Sequence, residues 1–191
     1  MEVDQEVKKK PANWFELGPF VIFDLETTGM SAVKDRIVEI AAVRVDIDGD
    51  RTRFHSLVNP RMKIPFYARK VHGISDEDVA DAPSFSEVGI QFLDFAAGST
   101  LVAHNAKFDL SFLQESLARS GRRPWSGKTM DSIPIIKNAY PGLPSYSLQN
   151  LRATFNLGDE TDGPAHRAFA DVEWTLEIFE MAMQGLLKGY A

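Results

Sequence analysis

The stretch that decides the fold is FVIFDLETTG, residues 20–29, an apolar run that ends in two acids and a glycine turn. Such a run, rich in β-favouring residues and bounded by a turn, predicts a buried strand over residues 20–25. Side chains two positions apart share one face of a strand, so we expect Asp24 and Glu26 to project together, about 7 Å apart. Residues 27–29 then turn the chain, and backbone and hydroxyl groups there could contact a phosphate or a sugar.

Two further strands follow directly. Residues 36–47 are rich in Ile and Val and predict a second strand, and residues 52–58 predict a third. The turn signal Asp-Gly-Asp at residues 48–50 joins them. Three consecutive strands with short links indicate an antiparallel meander.

Helices alternate with short strands in the rest of the chain. Capping-box patterns at Ser75 and Ser84 predict two helix starts, and Gly98 is expected to end the second helix. Apolar spacing predicts the remaining elements, which are a strand over residues 101–103, a helix from Asn105 to Gly121, a strand over residues 130–133, a helix around Leu148, Leu151 and Phe155, and a last helix from near Ala170 to Leu186. The order of elements predicts an α/β fold with a mixed sheet.

Composition favours one globular domain. The 191 residues are 44% apolar and 25% charged, which is enough chain for a core without covalent cross-links. We expect a polar N-terminal extension over residues 1–18, a main domain over residues 19–187 and a short C-terminal end over residues 188–191. The absence of cysteine excludes disulfides and Cys-ligated zinc.

Net charge and hydropathy limit the classes of partner that the protein can have. The net charge of −6 argues against a nonspecific duplex-binding coat, but not against an enzyme that acts on nucleic acid. Residues 1–10 lack the apolar core of a signal peptide, and the apolar runs are too short to cross a bilayer. A soluble, cytoplasmic protein without a membrane partner is expected.

Two other segments carry candidate site residues. Asp109 falls in the first turn of the helix that follows His104 and Asn105, a position that the helix dipole alone would also favour. His166 and Asp171 are five residues apart and cannot share one helical face. We therefore expect Asp171 to begin the last helix and His166 to lie on the preceding loop. A histidine beside a metal site can act as a general base, because its pKa lies near neutrality.

Taken singly, each of these residues favours a structural role: a solvated acid, a capping Asn, a hydrogen-bonded or surface His. Taken together, three acidic segments that each lie at one end of a strand or helix would bring four carboxylates to one site. Such carboxylates repel one another and call for cations. The leading hypothesis is a two-metal phosphodiester hydrolase.

The three segments resemble the three motifs of the DEDDh family of 3′–5′ exonucleases, at residues 23–29, 104–109 and 166–171. Residues 71–75 and 82–85 are also similar to the branch that contains the epsilon proofreading subunit of bacterial DNA polymerase III.

The resemblance covers about residues 20–184 and implies a ribonuclease H-like fold, a five-stranded mixed sheet flanked by helices. The main domain, residues 19–187, would then be the exonuclease domain.

The resemblance also implies a mechanism. Asp24, Glu26 and Asp171 would hold one divalent metal ion, while Asp24 would bridge to a second ion held partly by Asp109. Oxygen ligands favour Mg²⁺ or Mn²⁺. His166 would take the proton of the attacking water, and the product would be a nucleoside 5′-monophosphate.

The expected substrate is the 3′ end of single-stranded or frayed DNA, with RNA left open, and a DNA polymerase subunit is a candidate partner. The residues expected to bind substrate are Thr27, Thr28, Gly29, Met30, His104, Asn105 and Phe108. For Phe108 a core position on its helix is an equal alternative.

Other functions stay open from sequence alone. One alternative is a stand-alone exonuclease that trims RNA or short oligonucleotides. A different class is a non-catalytic scaffold subunit of a polymerase, for which a missing acid would have been the signature. Polymerase-bound relatives carry a C-terminal tail, whereas this sequence ends at Ala191, which leaves open action alone, a longer chain or a contact elsewhere.

Overall fold

A computed structural model describes residues 11–158 and 167–189, and it contains a five-stranded mixed sheet flanked by helices. The strands are β1 (Phe20–Thr27), β2 (Ile37–Val45), β3 (Arg51–Leu57), β4 (Thr100–Ala103) and β5 (Thr129–Asp131). The helices are α1 (Phe66–His72), α2 (Phe85–Phe95), α3 (Ala106–Arg119), α4 (Ser132–Ala139), α5 (Leu148–Phe155) and α6 (Ala168–Lys188), and a short 3-10 turn covers Trp14–Leu17.

The sheet has the order β3-β2-β1-β4-β5. The pairs β1–β2 and β2–β3 are antiparallel, whereas β4 runs parallel to β1 and to β5. This arrangement confirms the predicted meander followed by α/β units. Within the residues described, no helix is long and apolar enough to cross a membrane.

The alternation of side chains along β1 divides the core between the two faces of the sheet. Val21, Phe23 and Leu25 pack with α2 and α3 on one face. Phe20 and Ile22 pack with α6 on the other face. Because strand side chains alternate, the even positions Asp24 and Glu26 continue the face that α6 covers. The acids therefore point toward the helix that carries Asp171.

The end of the predicted N-terminal extension packs on the domain. Trp14 is 1% exposed and contacts the rings of Phe20 and Phe179 at centroid distances of 5.5 and 5.7 Å. Phe15 packs against the same core, while Leu17 is 47% exposed. The division at residue 18 stays a prediction.

Three local predictions were wrong. The pattern at Ser75 forms an isolated turn in which the backbone N–H and hydroxyl of Ser75 both donate to Asp78, rather than a helix. Residue Ile133 lies in α4 rather than in a strand, because the Asp131 side chain accepts its N–H at 2.9 Å and begins the helix there. Asn105 precedes α3 as expected, but its side chain makes no capping hydrogen bond and its φ is 65°.

Candidate active site

Three of the predicted acids converge. Asp24 and Glu26 project from the end of β1, and Asp171 lies in the first turn of α6. One carboxylate oxygen of each lies within 4.8 Å of the others. Among the residues that the structure describes, this is the group of acids or histidines close enough to share a metal ion.

Asp109 closes the site from the other side of β1. It is buried in the first turn of α3, and its Oδ1 accepts the backbone N–H of Leu25 at 3.2 Å. Leu25 lies between Asp24 and Glu26, so this hydrogen bond fixes Asp109 beside the acid pair. Asp109 is not a member of the 4.8 Å group, and its role at a second metal position stays a prediction.

The carboxylates have strongly perturbed acidities. Burial raises the pKa of Asp24 well above its usual value, and the charges of Asp109 and Asp171 raise it further. Burial and the charge of Asp171 raise the pKa of Glu26 to about 9. Burial also raises the pKa of Asp109 to about 8, against the opposing effect of backbone N–H donors.

Carboxyl groups with pKa values raised in this way hold protons at neutral pH unless cations neutralise their charge. The donor atoms that converge are all carboxylate oxygens, which suit hard divalent ions such as Mg²⁺ and Mn²⁺. The residues therefore fit the metal ions that the motifs imply. A group of mutually repelling carboxylates would otherwise cost stability.

Sequence reasoning missed one buried acid, Glu39 on β2. It pairs directly across the sheet with Glu26, and its side chain is 1% exposed. Its carboxylate accepts the backbone N–H of Ala168 at 3.2 Å, the guanidinium of Arg167 at 3.2 Å and a contact from His55 Nε2 at 2.8 Å. Burial raises the pKa of Glu39, but these hydrogen bonds outweigh it and lower the pKa.

Glu39 thereby ties the start of α6 to the sheet. Asp171 lies one turn further along, and its N–H donates to the carbonyl of Arg167 at 3.1 Å. The available signal was an acid within the otherwise apolar run Ile-Val-Glu-Ile-Ala-Ala-Val at the start of β2.

The Thr-Thr-Gly turn after β1 is held by its own hydroxyls. Thr27 Oγ1 donates to the carbonyl of Gly29 at 2.6 Å, and Thr28 Oγ1 accepts the N–H of Arg36 at 3.0 Å. A Cβ on Gly29 would lie 2.5 Å from a carboxylate oxygen of Asp35, so a larger residue here would have to displace that carboxylate. Both threonines are buried, which leaves the loop backbone and Met30 to face a ligand.

A cleft of about 700 Å³ opens above the acids, and its other lining residues include Met30, His104, Asn105, Phe108, Tyr146 and Gln149. Four of the seven residues predicted to bind substrate thus line one cavity. Phe108 lines this cavity and its ring also packs on Phe112 at 4.9 Å, so the core position and the cleft position are compatible. Substrate contact by these residues stays a prediction.

His104 braces the wall of the cleft. Its Nε2 lies 2.8 Å from the carbonyl of Tyr146, so this nitrogen carries the proton, and its Nδ1 lies 2.8 Å from Ser132 Oγ, whose hydroxyl donates. Burial lowers the pKa of His104, so the neutral ring is favoured. Both ring nitrogens are engaged, and the histidine connects β4 to the segment that precedes α5.

His166, the predicted general base, lies outside the described residues. Its neighbour Arg167 is described and is the residue before the first turn of α6. The position of His166 on the loop that leads into α6 stays a prediction.

Comparison with known proteins finds relatives among DNA polymerase III proteins and exonucleases. The chain is 40% identical over 162 residues to the DNA polymerase III subunit epsilon of Treponema pallidum, covering 84% of this chain and 74% of that protein. It is 37% identical over 169 residues to a PolC-type DNA polymerase III of Caldanaerobacter subterraneus, of which it spans only 12%. Exonuclease X, solved in complex with 5′ overhanging duplex DNA, is 31% identical with a TM-score of 0.66, covering 86% of this chain and 90% of that one.

The fold and the acidic cleft define a nuclease, a hydrolase with the ribonuclease H-like fold. The profile of the exonuclease family that includes ribonuclease T matches residues 21–179. The chain belongs to this exonuclease family, which confirms the family expected from the three motifs.

Proposed function

We propose that the chain is a two-metal 3′–5′ exonuclease that releases nucleoside 5′-monophosphates from single-stranded or frayed 3′ ends of DNA. One observation carries the proposal. Three carboxylates converge within 4.8 Å at the floor of an open cleft, and a fourth is buried beside them.

The carboxylates divide into two ligand sets in this proposal. Asp24, Glu26 and Asp171 would hold one ion, and Asp24 with Asp109 would hold the second. Two bound divalent ions would supply an activated water and charge stabilisation for the departing 3′ oxygen. Mg²⁺ and Mn²⁺ both suit the oxygen donors.

The protein's own groups would deprotonate the attacking water and position the terminal nucleotide. His166, which directly precedes Arg167 in the sequence, would accept the proton of the attacking water. Met30 and Phe108 would form an apolar wall for the terminal base, because aromatic and apolar faces accept any base. Four acids would repel a phosphate, so placement of the scissile phosphate beside them would require the metal ions.

DNA is the proposed substrate because relatives named as subunit epsilon and exonuclease X belong to DNA polymerase III or were solved with DNA. A proofreading role with a polymerase subunit as partner follows from the same likeness. A ribonuclease that trims RNA is the alternative within the family, and no described residue favours it. The intact set of described acids argues against a non-catalytic scaffold.

Degradation of matched DNA and RNA oligonucleotides would test this proposal. The oligonucleotides would be labelled at the 5′ end and would carry single-stranded, paired or mispaired 3′ ends. We expect a ladder that shortens from the 3′ end, in Mn²⁺ or Mg²⁺, faster on mispaired than on paired DNA. Faster degradation of RNA would replace the proofreading role with RNA trimming, and no shortening in any metal would refute the nuclease.

A further inference from the structure

A basic segment lies beside the site in an otherwise acidic chain. Residues 60–72 contain four cationic side chains and no acid, although the net charge of the chain is −6. The four are exposed, and they are Arg61, Lys63, Arg69 and Lys70. Hydrogen bonds at the turn after α1 lower the pKa of Glu77 and Asp78, with a smaller contribution from Arg69. Hydrogen bonds from Ser84 lower the pKa of Glu87, with a smaller contribution from Arg61. Because Arg61 and Arg69 lie near these acids, Lys63 and Lys70 are the cations considered for a ligand.

The same segment exposes apolar and aromatic side chains. Of the ten large hydrophobic side chains that are exposed in the described part of the chain, four lie between residues 62 and 71. Phe66 is 81% exposed and Tyr67 59% exposed, whereas Ala68 and His72 on the opposite side of α1 are buried. Phe66 and Lys70 are four residues apart, so they share the outer face of the helix. Single exposed hydrophobic residues are ordinary, but a clustered group marks a binding surface.

This surface is attached to the mouth of the cleft. The Tyr67 hydroxyl donates to the carbonyl of Thr28 at 3.3 Å, and Met62 Sδ lies 3.8 Å from Thr28 Oγ1. Thr28 is completely buried, so both contacts join α1 and its leading loop to a fixed point. Two residues further on, Met30 lines the cleft.

We propose that Met62, Lys63, Phe66, Tyr67 and Lys70, the α1 platform, bind the single-stranded part of the substrate strand upstream of its 3′-terminal nucleotide. The inference rests on the proposed function and deepens it. The rings of Phe66 and Tyr67 would stack on bases, which tolerates any sequence. Lys63 and Lys70 would neutralise phosphates. A polyanion is the partner that fits exposed cations interleaved with aromatic rings and free of acids.

The platform explains how an acidic protein retains a polyanionic substrate. The acidic site itself would repel a strand until metal ions offset its charge. Cations beside the cleft would hold the upstream phosphates independently of the metal. Substrates that lack upstream nucleotides should therefore gain nothing from the platform.

The test compares the unaltered protein with a double variant that carries both Phe66→Ala and Lys70→Ala, two exposed positions. Both proteins are assayed on two substrates in Mn²⁺. One is a single-stranded DNA 20-mer, and the other is the p-nitrophenyl ester of thymidine 5′-monophosphate, which has no upstream nucleotide. We expect KM for the 20-mer to rise roughly tenfold or more, with the ester hydrolysed at the unaltered rate. Phe66→Trp, which keeps an aromatic face, should retain the original KM.

Ile47→Ala provides a matched control. Ile47 is 59% exposed, and it follows β2 at the end of the sheet opposite the acids, where Val45 pairs with Phe20. The Ile47→Ala variant should leave both KM for the 20-mer and the hydrolysis rate of the ester unchanged. An unchanged KM for the 20-mer in the double variant, or an equal loss on both substrates, would overturn the platform.

Binding separates the platform from the nuclease activity. Fluorescence anisotropy of the labelled 20-mer with Ca²⁺ in place of Mn²⁺ should show weaker binding by the double variant. If the unaltered protein hydrolysed neither substrate yet bound the 20-mer through Phe66 and Lys70, the proposed function would fail and the platform would stand. Equal binding by both proteins would refute the platform.

Discussion

Replacing Glu39 by alanine should loosen the start of α6 and with it the metal site. The change removes the acceptor of the buried Ala168 N–H, and an unsatisfied buried donor costs about 1–3 kcal/mol. Arg167 and His55 are 43% and 44% exposed and can turn to water, so each of their contacts adds about 0–1 kcal/mol. Relief of the repulsion between Glu39 and Glu26 offsets part of the loss.

We therefore expect a loss of about 2–4 kcal/mol in the free energy of unfolding. For a chain of this size, about 1 kcal/mol shifts the melting temperature by roughly 2–4 °C, so a decrease of roughly 5–15 °C is expected. Asp171 depends on the same helix start, so the Mn²⁺ concentration needed for half-maximal hydrolysis should rise as well.

Circular dichroism melts, with EDTA and with Mn²⁺, would measure both effects. His55→Ala is the matched control, because it removes one exposed partner and leaves the Ala168 contact in place, so a shift of only a few degrees is expected. Glu39→Gln keeps one acceptor oxygen and should lie between the two. A melting temperature for Glu39→Ala within the range of the control, with an unchanged Mn²⁺ requirement, would refute the assignment of Glu39.

Three further predictions concern the acids and the base. Saturating Mn²⁺, at about 100 times its Kd, should stabilise the fold by about 2.7 kcal/mol and raise the melting temperature by roughly 5–11 °C; an unchanged melt would contradict a preformed site. In EDTA, stability measured by urea unfolding should fall as pH rises from about 4.5 toward about 9, because the folded state keeps the Glu26 proton after the unfolded chain has lost it. Mn²⁺ should flatten this slope, and stability that rises over the same window would show the sign to be wrong. His166→Ala should lose most of the hydrolysis rate while the melting shift with Mn²⁺ persists, and near-normal turnover would remove His166 from the base role.

The parts of the fold that follow from local pattern were predictable. The period of two along β1 placed Asp24 and Glu26 on one face, and the meander followed from short turns between apolar runs. The capping box at Ser84 marked the start of α2, since both of its hydrogen-bonding groups are close in sequence. The three motifs then identified the family.

The parts that depend on distant partners were not predictable from the sequence. Glu39 meets Ala168 across 129 positions, and a buried acid on a strand gives no hint of which helix it serves. Helix α1 has seven residues and exposes two aromatic rings, so it lacks the apolar stripe that indicates a packed helix. The threonines of the Thr-Thr-Gly turn point inward because their hydroxyls are used within the loop, a choice that only the folded backbone decides.

The central claim is that four carboxylates at the end of β1 and at the starts of α3 and α6 form a two-metal site. Crystals soaked in Mn²⁺ with thymidine 5′-monophosphate would test it through the anomalous scattering of manganese. Two peaks are predicted, one held by Asp24, Glu26 and Asp171 and one shared by Asp24 and Asp109. Manganese bound elsewhere, or a single ion without a carboxylate of Asp24, would contradict it.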